Sequence, residues 1–282
     1  MNQYPIVLSH GIAPFGRPET YFKGIAVHLR ALGYDAYHTK VSFARSLKER
    51  ATDLAMEIRR ILFASDSERV HIVAHSMGGL DARYAIAQLG MDKHVASLTT
   101  IGTPHAGTPF ADWGVAHKGD RIISALRSLM HFEGFFDLTT DACRKLNLEL
   151  EPIESGNPVH YIAYSSHEER RKVFAPLRFS WELINQQEGP NDGLVPVSSQ
   201  RWKSFLAGDK SPYKLVMQCE IPFGCDHLNQ IGHWDPQEAG WLEWLQPWKV
   251  AKGSRSYEEK VRRVYVEIAE RATRLEAAAT AG

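Results

Sequence analysis

The chain is poor in cysteine: Cys143, Cys219 and Cys225 are the three in 282 residues. An odd number cannot all pair internally, so no disulfide framework holds the fold, and free buried thiols are expected. Net charge is missing too. Thirty-three basic and 33 acidic residues cancel, and no basic tract offers the footprint that nucleic acid or an anionic membrane surface requires. No window approaches 18 apolar residues, so no transmembrane helix is expected. The opening MNQYPIVLSHG lacks a basic stretch followed by a long apolar run, so no signal peptide is expected. The chain therefore reads as cytoplasmic, or as a trimmed mature form of a secreted protein. There is no glycine-rich phosphate loop or dinucleotide fingerprint, and no organic cofactor is implied. His105, His117, His131 and the pair His227/His233 lack the tight ligand spacing of a zinc site and read as surface or core histidines.

What remains is an ordinary globular composition, 44% hydrophobic and 23% charged, in a chain long enough to bury a core without metals or disulfides. The first hundred residues alternate between strand and helix signals. Ile6-Val7-Leu8 is a short apolar run. Residues 19 to 32 carry Phe22, Ile25, Leu29 and Leu32 at helical spacing, stopped by Gly33. After a strand-like YDAYHTKV, a longer helix buries Leu47, Ala51, Leu54, Ile58, Ile61 and Leu62. Val70 to Ala74 reads as a buried strand, Gly78 to Leu89 as a helix capped by Gly90, and Val95 to Ile101 as another strand. Strands separated by helices imply βαβ crossovers, so the fold class is α/β with a mostly parallel sheet, in one domain spanning 1–282. Residues 103 to 150 break the pattern, with no convincing strand but a helix carrying Ile122, Leu126, Leu129 and Met130 on one side. Strand signals return at 159–166 and 213–220. A last amphipathic helix, from about Tyr257 to Leu275, is expected to cover the sheet through Tyr257, Val261, Val264, Ile268, Ala272 and Leu275.

Chemistry concentrates in VHIVAHSMGGL, residues 70–80. A serine, Ser76, sits between a buried strand and a helix, with small residues two positions before and after. A sharp strand-to-helix turn needs them, because the serine takes a strained backbone conformation and larger flanking side chains would collide. The common form is G-x-S-x-G; here Ala74 replaces the first glycine. The helix start adds partial positive charge beneath the hydroxyl.

A serine hydroxyl is a poor nucleophile until a base takes its proton, so a histidine and an orienting carboxylate must follow. In this type of fold the order is serine, acid, histidine. Asp192 in GPNDGLVPVSS and His227 in GCDHLNQ stand in that order. Read alone, Asp192 is a turn-former, and among thirteen histidines position does not single out His227. Asp226 is set aside as the orienting partner because adjacent side chains diverge. An oxyanion would need donors. The N–H of Met77, directly after the serine, is one; the N–H of Ile12, in the loop after the first strand, is the other, with Gly11 letting that loop approach closely.

Five segments taken in order resemble the triacylglycerol lipases of the bacterial true-lipase group and their fungal relatives. They are PIVLSHG, VHIVAHSMGGLDARY, LTTIGTPHAGTPFADW, NDGLVPVSS and DHLNQ, and the resemblance runs from Tyr4 to about Gly232. It implies an α/β-hydrolase fold and hydrolysis of medium- and long-chain acyl esters through an acyl-serine. It also implies Ser76, Asp192 and His227 as the triad and Ile12 and Met77 as oxyanion donors. Residues 105–150 take the place of the family's helical lid. The substrate would lie against His10, Gly11 and His75, with Leu126 and Met130 contributed by the lid, and a lipid–water interface is the implied partner. Several members hold a structural calcium with an aspartate two residues after the catalytic histidine; here that residue is Asn229, so calcium is not expected in the same way. A thioesterase, phospholipase or acyltransferase would use the same triad, and a binding protein on an inactive hydrolase fold would have lost a triad member.

Overall fold

Residues that are apolar in unbroken runs pair into parallel strands covered on both faces. In the computed structural model, which describes residues 4–12, 18–117, 133–208, 211–233 and 247–281, seven strands form one sheet. They are β1 (Ile6–Ser9), β2 (Ala36–His38), β3 (Val70–His75), β4 (Val95–Ile101), β5 (His160–Ser165), β6 (Phe205–Gly208) and β7 (Ser211–Glu220). Their order is β2-β1-β3-β4-β5-β7-β6. All neighbours run parallel except β6 and β7. Every residue of β3 and β4 is buried, which places them at the centre.

Helices α1 (Pro18–Tyr21), α2 (Ile25–Ala31), α3 (Leu47–Ser65), α4 (Met77–Gln88), α5 (Pro109–Ala116), α6 (Thr140–Glu154), α7 (Arg178–Glu188) and α8 (Pro247–Ala281) surround the sheet. The strand period of two divides their work. Val7, Ile72, Leu98 and Tyr161 pack with the apolar stripes of α3 and α4. Leu8, Val73, Ile101, Ile162 and Tyr164 pack on the other face with Ile25 and Leu29 of α2 and Val261, Val264, Tyr265 and Ile268 of α8. The stripes expected for α3 and for the last helix are therefore the ones that cover the sheet. No helix among the described residues is long and apolar enough to cross a membrane.

Three local readings change. The single helix expected over 19–32 is two, because Gly24 sits in the left-handed region at φ 67° and breaks it, and Leu32 is exposed rather than buried. The edge strand β6 was not expected, being only four residues long and half exposed. The last helix begins at Pro247, ten residues before the apolar stripe. The three cysteines are free; Cys143 and Cys225 are buried and Cys219 is half-buried.

Candidate active site

The β3–α4 turn is as tight as its sequence requires. Ser76 has φ 55° and ψ −134°, a left-handed conformation that side chains resist. A Cβ on Gly78 would fall 2.7 Å from the Ser9 carbonyl oxygen, and one on Gly79 would fall 2.2 Å from Thr103 Oγ1. Gly78 lets α4 start directly against the end of β1, and Gly79 lets it start against the loop after β4. The Ser76 N–H donates to the Ile101 carbonyl, and Thr103 Oγ1 donates to the Ser76 carbonyl at 2.8 Å. The serine is 8% exposed at the end of a buried strand.

Opposite the turn, His227 Nδ1 donates to Asp192 Oδ2 at 2.7 Å. Asp192 is wholly buried, and its Oδ1 accepts the backbone N–H groups of Leu194 and Val195 at 3.0 and 2.8 Å. The His227 N–H donates to the Asp192 carbonyl, so backbone as well as side chain ties the two segments together. The His227 ring lies 4.5 Å, centroid to centroid, from the ring of His75, the residue before Ser76. Ser76 thus stands at the end of the interior strand β3, and His227, from the loop after β7, packs on the residue before it while holding Asp192, from the turn before β6. Asp226 is turned away: its carboxylate accepts the backbone N–H groups of Phe174, Leu228 and Asn229.

The β1 loop runs beside the serine. A Cβ on Gly11 would sit 2.7 Å from Ser76 Cβ, so only glycine permits this approach. Ile12 follows, its side chain against the cluster of Leu47, Met77 and Leu80. Met77 is the first residue of α4, where an N–H has no acceptor within its helix. His10 and His75, read from sequence as substrate contacts, are placed elsewhere. His10 is buried, stacked on Phe43 at 4.0 Å, with Nδ1 bonded to the Gly11 carbonyl at 2.9 Å. His75 is buried with both ring nitrogens bonded to protein, to Tyr21 Oη and Gln230 Oε1. Both support the site from behind. Sequence reasoning passed over Tyr21 and Gln230, because nothing local marks a residue that bonds to another 54 or 155 positions away.

Leu126 and Met130 lie outside the described residues, as do Ile122, Leu129 and Phe132. The flanks of the 105–150 stretch are described. Helix α6 packs Cys143, Leu146 and Leu150 against Leu80 of α4. Residues 133–138 form a short turn in which a Cβ on Gly134 would meet Met77 Cε at 2.8 Å. Phe110 and Phe135 join Val173, Leu177, Leu194 and Leu228 in an apolar cluster. That cluster reaches Leu228 beside His227, while Gly134 reaches Met77, so apolar surface borders the site on both sides.

Among the described residues, no three His, Cys, Asp or Glu side chains gather as a metal site. At Asn229, where the family resemblance implies a calcium-binding aspartate in several members, the amide is bonded within its own turn. Its Oδ1 accepts the Asp226 N–H, and its Nδ2 donates to the His233 carbonyl. Its amide oxygen is thus already bonded to a backbone N–H and is neutral, a weaker calcium ligand than a carboxylate.

Burial also sets an acid sensitivity. It drives the His10 ring down to about 3 from 6.5, with Arg50 adding to the effect. His75 and His105 are held well below 6.5 by burial, aided by His227 and Arg83 respectively. The unfolded chain binds protons on these rings below pH 6.5 and the folded chain does not. Their contribution to stability is therefore complete above pH 6.5 and lost as the pH falls. Asp81 and Asp226 oppose this, because burial raises both from 3.8 to about 6 and the folded chain gains protons first. Burial also depresses His38 and His160 and raises Asp137, so the depressed rings outnumber the raised carboxyls and the net effect is a loss of stability as the pH falls below about 6. Urea unfolding at pH 7, 6 and 5 checks this; stability that holds level or rises on acidification contradicts it.

A mostly parallel sheet wrapped by helices, with a strained serine turn at the end of its central strand, defines an α/β-hydrolase. The comparisons agree. A mature lipase from Bacillus licheniformis superposes with a TM-score of 0.62 at 20% identity, covering 80% of this chain and 86% of that one. Residues 25–133 match the model of the PGAP1-like alpha/beta domain. Triacylglycerol lipase from Pseudomonas fragi is 32% identical over 277 residues, 82% of this chain and 89% of that enzyme. Triacylglycerol lipase 2 of Saccharomyces cerevisiae is 30% identical over 200 residues, 66% of this chain. The chain spans 58% of that yeast enzyme's length. It belongs to the triacylglycerol lipase family.

Proposed function

We propose that the chain hydrolyses carboxylic esters of medium and long acyl chains, triacylglycerols among them, through an acyl-serine intermediate. The observation that carries this reading is the strained Ser76 turn, with the imidazole of His227 packed on the residue before the serine and held at 2.7 Å by a buried carboxylate. Ser76 Oγ attacks the ester carbonyl as His227 Nε2 takes its proton. Asp192 keeps the proton on His227 Nδ1, and so directs Nε2 toward the serine, and stabilises the imidazolium that forms. The N–H groups of Ile12 and Met77 receive the developing oxyanion, and the α4 N-terminus adds its partial positive charge. His227 then protonates the leaving alcohol. Water, activated by the same ring, releases the acid.

The single domain over 1–282 carries the site, and residues 105–150 serve as its cover. The apolar cluster of Phe110, Phe135, Leu194 and Leu228 supports an acyl-binding wall next to Met77 and His227. A lipid–water interface is then the natural partner, since it offers a hydrophobic substrate to a surface that water would otherwise oppose. Turnover of esters from short to long acyl chains, below and above the substrate's solubility limit, tests this. Rates should rise with chain length and jump where aggregates form. Flat rates with a short-chain preference would leave a plain esterase, and hydrolysis confined to thioesters or phospholipids would move the reading to those classes.

A further inference from the structure

Behind the site lies a run of buried hydrogen bonds whose every proton is assigned by its neighbours. Gln230 Nε2 donates to Asp192 Oδ2 and to Ser166 Oγ, both at 2.8 Å. The amide cannot be turned over. Asp192 is an acceptor only, and the Ser166 hydroxyl already donates to the Cys225 carbonyl at 2.8 Å. Gln230 Oε1 therefore faces His75 Nε2 at 2.8 Å, and that nitrogen carries the proton. Burial keeps the His75 ring neutral, so its Nδ1 is bare and accepts from Tyr21 Oη at 2.7 Å. Tyr21 Oη in turn accepts the Gly11 N–H at 3.1 Å.

The seat for this amide is cleared by the backbone. Gly102, at φ 57°, follows β4, and a Cβ there would stand 2.1 Å from Gln230 Oε1. Tyr265 of α8 donates to the Gln230 carbonyl at 3.0 Å and fixes the main chain. Gln230 thus shares Asp192 Oδ2 with His227 Nδ1, while its other end leads to the loop that carries Ile12.

We infer that Gln230 is a positioning residue for the ester hydrolysis proposed above. It fixes the orientation of the Asp192 carboxylate toward His227 and, through His75 and Tyr21, couples the acid to the oxyanion loop at Gly11. The inference rests on that reading of the triad for its kinetic consequence, but not for its structural one. Hydrogen bonds in a chain polarise one another, so a change at one end is felt at the other.

The test uses the full chain in two variants, with steady-state kinetics on a soluble ester and the low-field proton resonance of His227 Nδ1–H as readouts. Gln230→Met keeps length and bulk but removes the amide. It should lower kcat about ten- to a hundredfold, the loss of one or two bonds at a buried charge, with KM within about twofold. The His227 resonance should shift. Tyr21→Phe leaves Gln230, Asp192 and His227 intact and keeps the ring, so it reads the chain even where Gln230→Met fails to fold. It should lower kcat several-fold at unchanged KM and move the same resonance by less. Unchanged kcat and an unmoved resonance in either folded variant overturn the inference. If the wild-type chain hydrolyses no ester, the proposed function falls, and the resonance alone still decides whether Gln230 and Tyr21 act on the His227–Asp192 pair.

Discussion

Ser76→Ala should lower kcat/KM for ester hydrolysis by about 10⁴- to 10⁶-fold while leaving the unfolding midpoint almost unchanged. Alanine removes the attacking oxygen but keeps the Cβ that makes the turn costly. Ser76→Gly separates the two effects. A residue with a Cβ at φ 55°, ψ −134° carries strain on the order of 1–3 kcal/mol, which glycine does not. Part of that gain is offset by the greater freedom of glycine in the unfolded chain. The glycine variant should therefore be as inactive as the alanine variant and more stable, by about 1 kcal/mol. Calorimetry and initial rates on the three proteins check this. A glycine variant less stable than wild type would mean that the strained conformation is not the one the turn adopts in solution.

Arg50→Met should be the most destabilising of the changes considered, by about 3–5 kcal/mol, which for a chain of this size moves Tm on the order of 10 °C. Arg50 and Asp81 are both fully buried. Arg50 Nε and Nη2 donate to Asp81 Oδ2 at 2.9 and 2.6 Å. Nη2 also donates to the His10 carbonyl at 2.9 Å, and Nη1 to the Ser42 carbonyl. Asp81 Oδ1 has no partner among the described residues, and burial already lifts this carboxyl to about 6 with the arginine in place. Methionine would leave that charge unpaired in the interior. The expected cost is therefore mostly that of the orphaned carboxylate, and Arg50→Met with Asp81→Leu should recover much of it. Activity would not recover with it. The His10 carbonyl would still have lost its anchor, and the loop carrying Ile12 would hold the oxyanion less well. A single variant within 1 kcal/mol of wild type by urea unfolding would refute this account of the pair.

The parts of the fold that local spacing can encode were legible. The buried runs of β1, β3 and β4 and the stripe of α3 follow directly from their residues, because burial on one or both faces imposes its period on the sequence. The serine turn was legible for a related reason: Ala74 and Gly78 are the small residues that its backbone demands. What escaped depends on contacts between distant segments. The break at Gly24 interrupts a helix without disturbing the spacing of Phe22, Ile25 and Leu29. His10 and His75 are polar and flank site residues, so sequence proximity put them against the substrate, whereas their bonds turn them inward. Only chain order and family likeness single out Asp192 and His227, since no local pattern distinguishes an aspartate that holds an imidazole from one that forms a turn. Tyr21 and Gln230 left no trace at all, because a buried polar chain is written in three dimensions only.

The central claim is that Ser76 is a nucleophile activated by His227. Reaction of the folded chain with a fluorophosphonate, followed by mass mapping of the adduct, tests it most directly. One adduct on Ser76, formed at a rate that collapses in His227→Ala, is the predicted result. Ester hydrolysis that proceeds while Ser76 remains unlabelled, or an adduct formed equally fast without the histidine, would contradict it.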